Sequence, residues 1–263
     1  IALAKHFAAG QAGVEAVCVG VAAFVDQSRG FVHYAPNLGL ESLPLGDILK
    51  RELGLPVRLD NDVNCAVLGE AAFGAATGCR NVVGILVGTG IGSGILLDGR
   101  VVRGARGVGA EAGHMIYIPS GRQCACGRRG CFEAYAGGRS LEPIIQKIRQ
   151  EEPLSALGRE PEANLSAVWR AMEAGDRRAR RLWEEFLVAL RVLTGNLVTI
   201  FDPEMVLLGG KVVNELPMVL AAIKDDLVVN RLRGVLHTVQ VCSPSLGDTA
   251  VALGATCLTA DPC

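Results

Sequence analysis

The sequence has no surplus of charge of either sign: 26 Lys and Arg against 27 Asp and Glu leave a formal net charge of −1. No global field draws such a chain to nucleic acid or to an acidic membrane, so its partners are expected to be chosen by local sites. It also lacks any apolar run near the roughly 18 residues needed to span a bilayer, and no basic segment followed by an apolar one opens it. Both absences predict a soluble, unexported, cytoplasmic protein. Repeats and low-complexity linkers are missing too. What is present is apolar material: half of the 263 residues are hydrophobic and a fifth are charged, which excludes a disordered or fibrous chain and suffices for one large or two modest domains.

The nine cysteines are used in two ways. Cys18, Cys65, Cys79, Cys242, Cys257 and Cys263 are scattered, several within apolar runs where cysteine packs as a small hydrophobe. That usage suits a reducing compartment. Cys124, Cys126 and Cys131 are clustered and call for a separate explanation. The chain starts at Ile1, inside what reads as a helix, so the start of a larger protein is expected upstream.

Periodicity predicts an α/β fold. Helical spacing runs from Ile1 to Gly10, and Glu15 to Phe24 reads as a buried strand. Leu45 to Leu53 is an amphipathic helix, followed by a strand over Leu55 to Leu59 that ends at Asp60-Asn61-Asp62. Such strand ends are where α/β proteins keep their sites. Val63 to Phe73 is helical. The strand Asn81 to Val87 runs into Gly88-Thr89-Gly90-Ile91-Gly92-Ser93-Gly94, and a return strand Ile95 to Leu97 closes on the Asp98-Gly99 turn. From Gly104 to Arg139 the chain is rich in Gly, Cys and Arg without periodicity, a loop-built region held by something other than a core. Helices are expected over Leu141 to Gln150, Asp176 to Ile200 and Asp248 to Leu258, with a core strand over Met205 to Leu208 before Gly209-Gly210.

His114, Cys124, Cys126 and Cys131 form the pattern H-x9-C-x-C-x4-C. One imidazole and three thiolates complete a tetrahedral zinc site of the structural kind, with no open position for water. The competing reading is three unrelated thiols; a disulfide is disfavoured in a reducing compartment. The Gly88 to Gly94 segment lets backbone amides and the Thr89 hydroxyl approach a phosphate, or is simply a tight hairpin. Its spacing is neither a P-loop nor a dinucleotide fingerprint. Asn61 and Asp62 are either a helix cap or an amide and a carboxylate that fix and deprotonate a hydroxyl, as phosphoryl transfer requires. Glu111 and Glu133 flank the cysteine loop, as surface acids or as groups aimed at ligand hydroxyls. Gly209-Gly210 is a further point of close approach or a turn.

Taken in order, Asn61-Asp62-x-Asn64 through Leu68-Gly69-Glu70, Val87 to Gly94, Glu111-Ala112-Gly113-His114 and Cys124-x-Cys126-Gly127-x-x-Gly130-Cys131-Phe132-Glu133 resemble the ROK family (repressor, open reading frame, kinase) over nearly the whole chain. Ala35-Pro36-Asn37-Leu38 and Leu207-Leu208-Gly209-Gly210 are similar to that family as well. The resemblance implies an actin-like (ribonuclease H-like) ATPase and sugar kinase fold with two lobes and a cleft. On that reading, residues 1–62 are the remnant of the first lobe, 63–247 are the larger lobe with the zinc loop at 114–131, and 248–263 form a helix packing back toward the first. It implies ATP-dependent phosphorylation of a hexose, glucose first, with Asp62 as general base. Asn61, Asp62, Glu111, His114 and Glu133 would bind the sugar, His114 sharing its second ring nitrogen with zinc. Gly88, Thr89, Gly90 and Gly92 would line the phosphates and Gly209 and Gly210 the adenosine side, with magnesium arriving on ATP. Homo-oligomers follow from the same resemblance.

The sequence departs from the family in two places. The family's Asp-x-Gly-Gly-Thr phosphate hairpin has no counterpart here, and Ala22-Ala23-Phe24-Val25-Asp26 lacks the glycine turn usual after the first core strand. The alternative function within the family is the sugar-sensing domain of a transcriptional repressor, which would bind nucleic acid through a separate segment. A zinc-stabilised scaffold without a ligand leaves Asn61, Asp62, Glu111 and Glu133 without a role.

Overall fold

A computed structural model describes residues 5–6, 13–35, 37–230 and 239–259. Apart from helical Lys5 and His6, the helix expected over Ile1 to Gly10 lies outside the described residues, as do Pro36 and Cys263. The chain forms two compact units, one of Ile1–Val82, Gly94–Ala110 and Pro244–Cys263, the other of Val83–Ser93 and Glu111–Ser243. The expected boundary after Asp62 does not coincide with this division, because residues 63–82 and 94–110 group with the first unit.

In the first unit, the valine-rich β1 (Val17–Val21) pairs in parallel with β5 (Val57–Asn61), in register from Val17 opposite Val57 to Val21 opposite Asn61. The strands β2 (Phe24–Asp26), β3 (Phe31–Ala35) and β4 (Leu40–Leu43) make an antiparallel meander, absent from the sequence reading because polar residues interrupt it. Val21, Val25, Val32 and Leu59 join Leu49 of α1 (Leu45–Leu53) in one buried cluster.

Helix α2 (Asp62–Phe73) buries every residue from Val63 to Glu70. A helix covered all round shows no amphipathic stripe. Its closest neighbour is α9 (Ala250–Thr256), and the approach is so tight that a Cβ on Gly254 would collide with the Cys65 carbonyl and one on Gly69 with the Ala250 carbonyl. Such burial makes Glu70, 1% exposed, the conspicuous side chain of α2. Its carboxylate accepts from the amides of Ala75 (2.7 Å), Ser245 (2.8 Å) and Leu246 (2.8 Å) and from the Ser245 hydroxyl (3.1 Å). Glu70 thereby ties the end of α2 to the turn that leads into α9.

A sheet ordered β10-β9-β6-β7-β8 comprises β6 (Val82–Val87), β7 (Ile91–Leu97), β8 (Arg100–Val101), β9 (Met205–Gly209) and β10 (Gln240–Cys242); β9, β10, β6 from Val83 and β7 up to Ser93 belong to the second unit, while the rest of β7 and β8 group with the first. The strand β7 begins at Ile91 rather than Ile95, so Gly92, Ser93 and Gly94 are strand residues and the true bend is confined to Gly88-Thr89-Gly90. Six helices follow: α3 (Glu133–Ala136), α4 (Gly138–Glu151), α5 (Leu165–Glu173), α6 (Arg177–Phe201), α7 (Lys211–Glu215) and α8 (Met218–Val229). Asp176 caps α6 by accepting from the Arg178 and Ala179 amides, and the predicted stripe Leu182, Phe186, Leu190, Leu193 and Leu197 is its buried face. Among the described residues no helix is long and apolar enough to cross a membrane.

Burial, which would raise the Glu70 carboxyl, is outweighed by the bonds from Leu246, Ala75 and Ser245, so the group is held below its ordinary value. Its contribution to stability is therefore complete above the unfolded-state value of about 4.3 and is lost as the pH falls through the lower folded-state value. Glu70→Gln, which turns an amine toward donors, should cost about 2–4 kcal/mol in urea denaturation at pH 7. The same substitution should flatten the acid limb of the stability curve.

Candidate functional site

In the first unit the chemistry gathers where β5 becomes α2. Asn61 is the helix cap: its Oδ1 accepts from the Val63 (2.8 Å) and Asn64 (3.2 Å) amides, while its Nδ2 donates to the Ala23 carbonyl (3.2 Å). The capping alternative thus holds for Asn61, and the cap fixes where the next side chain starts. Asp62, the first residue of α2, receives the Val63 amide at 3.0 Å on Oδ1. Burial raises its carboxyl above the ordinary aspartate value, opposed by that amide bond. A half-buried carboxylate of raised proton affinity is suited to take a proton from a hydroxyl.

Beneath this corner lies a buried polar network that sequence reasoning missed. Asp60, 2% exposed, accepts on Oδ1 from the Asn61 amide (2.7 Å) and from Asn64 Nδ2 (3.0 Å). Its Oδ2 accepts one bond from Arg103 Nε at 2.8 Å, and an Nη of the same guanidinium completes the ion pair at 2.7 Å. Arg103 stands 43 residues along the chain, just before the aperiodic stretch, where no local pattern signals its partner.

In the second unit, Glu111 opens a turn in which its carbonyl accepts the His114 amide (3.0 Å), and the Ala112 amide donates to Ser93 Oγ (2.9 Å). His114, Cys124, Cys126 and Cys131 converge: their candidate ligand atoms all lie within 4.8 Å of one another. Cys124 Sγ is 3.7 Å from His114 Nδ1, and Cys126 Sγ is 3.6 Å from Cys131 Sγ. Around a tetrahedral zinc with Zn–S near 2.3 Å and Zn–N near 2.0–2.1 Å, neighbouring donors stand roughly 3.5–3.8 Å apart. These separations fit that donor set. The Arg128 guanidinium donates to the His114 carbonyl (2.7 Å) and lies beside Cys126, a cation placed against the cysteine cluster.

Glu133 comes two residues after Cys131. Its Oε2 accepts the Ile91 amide at 2.9 Å, and its Oε1 lies 3.7 Å from Cys124 Sγ and 4.0 Å from His114 Nδ1. Gly90 passes so close that a Cβ there would strike the Glu133 carboxylate. Gly210, the N-cap of α7, is held against Val87, 2.6 Å from where its Cβ would stand to the Val87 carbonyl. Gly88 and Thr89 line a pocket of about 340 Å³ with Gly138, Arg139, Asn164 and Lys211. Arg139 and Lys211, the cations of that pocket, were not singled out from sequence, since an arginine after two glycines and a lysine opening a short helix carry no distinctive spacing. Of the glycines expected at the phosphates, Gly90 faces Glu133 and Gly92 is within β7; of the pair Gly209-Gly210, the first ends β9.

A model described as "ROK family" matches residues 1–261 of the chain. The glucokinase of Thermotoga maritima is 32% identical over 250 residues, covering 92% of this chain and 79% of that protein. The xylose repressor of Caldicellulosiruptor bescii is 31% identical over 254 residues, covering 92% of this chain and 61% of its own length. Among solved structures, a ROK family glucokinase from Streptomyces griseus in complex with glucose and AMPPNP superposes with a TM-score of 0.76 at 33% identity, over 98% of this chain and 87% of that one.

The Asp60–Arg103 pair carries its own test. Arg103→Leu leaves a buried carboxylate without its cation and should lower stability by about 3–5 kcal/mol in chemical denaturation. The double variant Asp60→Asn, Arg103→Gln should cost clearly less than the sum of the two single changes.

Proposed function

We propose that this chain, which belongs to the ROK family, is an ATP-dependent hexose kinase that phosphorylates glucose, with Asp62 as the general base. Its fold is the α/β, actin-like fold of the family's sugar kinases. The observation that carries the kinase reading is the pocket of the second unit: glycine backbone at Gly88, the Thr89 hydroxyl, and the cations of Arg139 and Lys211 around about 340 Å³ supply what a nucleotide phosphate chain needs. The relatives support glucose, since both the Thermotoga and Streptomyces proteins are glucokinases.

On this reading Asn61, Glu111, His114 and Glu133 hold hydroxyls of the sugar, and the Asp62 carboxylate takes the proton from the accepting one. The hydroxyl oxygen forms a bond to the γ-phosphorus as the bond from that phosphorus to the bridging oxygen breaks, and ADP leaves. Magnesium, bound with ATP, would neutralise charge on the transferring group. His114 Nδ1, Cys124, Cys126 and Cys131 would hold a structural zinc that shapes the loop, leaving His114 Nε2 for the sugar. The likeness to the xylose repressor favours a second reading, a domain that senses sugar without turning it over.

Asp62→Asn should lower kcat by about 10²–10⁴-fold while calorimetric glucose affinity changes by only a modest factor. Retained turnover removes Asp62 from its role. Only the ionised carboxylate can accept the proton, so kcat/KM should fall on the acid side, with its midpoint above that of an ordinary aspartate at about 3.9. Cys126→Ser should release metal, measured by atomic emission, and weaken glucose binding together; normal glucose binding in the metal-free variant contradicts the shared role of His114.

A further inference from the structure

We infer that Glu133 is a positioning residue that couples the Cys/His loop to the glycine bend, so that metal and nucleotide bind cooperatively; this rests on reading the bend as the phosphate site. The glycine bend has little to hold it from within. Beyond the Gly88 amide donating to the Gly90 carbonyl (2.9 Å), its ties come from the segment that leaves Cys131. The Gly138 amide donates to the Gly88 carbonyl (2.9 Å), the Arg139 amide to the Thr89 carbonyl (2.8 Å), and Glu133 Oε2 accepts from Ile91 (2.9 Å). Residues 88, 89 and 91 are thus held by 138, 139 and 133, and the side chain among these ties is that of Glu133.

The same carboxylate faces the metal loop through Oε1, 3.7 Å from Cys124 Sγ and 4.0 Å from His114 Nδ1. Between the last cysteine and Glu133 stands only Phe132, 1% exposed and stacked on Tyr117 at 4.9 Å. Helix α3, which Glu133 opens, is a single turn of four residues and cannot persist without its surroundings. Its buried residues pack on α4 and α6, while Cys131 and Phe132 tie it to the cysteine loop and Glu133 ties it to the glycine bend. Whatever fixes the cysteine loop fixes the acceptor of the Ile91 amide. By linkage, any gain in nucleotide affinity from the metal is matched by an equal gain in metal affinity from the nucleotide.

The test uses the full chain and AMPPNP as probe. Binding is followed by calorimetry, and amide exchange at Ile91 by mass spectrometry or NMR, in zinc-loaded wild type, Glu133→Ala and Glu133→Gln and in chelator-stripped samples. Zinc-loaded Glu133→Ala, with its metal content verified, should bind AMPPNP about tenfold more weakly and exchange the Ile91 amide faster. Stripping its metal should then cost little more, whereas stripping wild type costs a similar factor. Glu133→Gln, which retains an oxygen for the Ile91 amide, should recover most of the affinity. Unchanged AMPPNP affinity and Ile91 exchange in zinc-loaded Glu133→Ala overturn the coupling, and so does a full further loss when that variant is stripped. Should wild type bind no AMPPNP, the kinase reading fails, and Ile91 exchange alone still decides whether Glu133 links the two loops.

Discussion

Close approach of the Gly138 backbone to the glycine bend is the constraint on which the second unit's site depends. The Gly138 amide reaches the Gly88 carbonyl because Gly138 has no side chain in the way; a Cβ there would stand 2.7 Å from that oxygen. The approach seats Arg139 beside Thr89 and draws the glycine bend onto the segment following the cysteines, where Gly88, Thr89, Gly138 and Arg139 line one pocket. In the Cys/His loop, four side chains able to hold a metal converge beside the stacked pair Tyr117 and Phe132.

The first unit solves a different problem with buried charge. Placing a carboxylate of raised proton affinity at the start of α2 requires a rigid corner, and that corner is made by Asn61 as cap and by Asp60, which accepts from the Asn61 amide, Asn64 and Arg103. Neither Asp60 nor Glu70 is cheap to bury, and each is tolerated because every lone pair that faces the interior is met by a donor. Position, more than net stability, is what such networks supply, since apolar packing could supply stability alone.

Local chemistry was the legible part of this chain. Helix α1 was read to its ends, and α6 to within a residue, because amphipathic spacing and an Asx cap are written in consecutive residues. The convergence of His114, Cys124, Cys126 and Cys131 was equally visible, the four lying within eighteen positions. What stayed hidden depends on pairing at a distance: the β2–β4 meander, the Arg103 partner of Asp60, and the grouping of residues 63–82 with the first unit, which follows from the glycine contact between α2 and α9. The glycine run misled in one respect, since Gly92 and Gly94 serve the strand rather than the bend. A Cβ on Gly94 would stand 3.0 Å from the Val63 carbonyl, so that glycine marks close packing on α2.

Glucose-dependent release of ADP from ATP by the full-length, zinc-loaded protein tests the central claim most directly. Steady turnover that requires glucose, with label from the γ-phosphate recovered on the sugar, is the predicted result. Glucose binding at the same concentrations with no ADP above background would contradict it and would favour a sugar sensor.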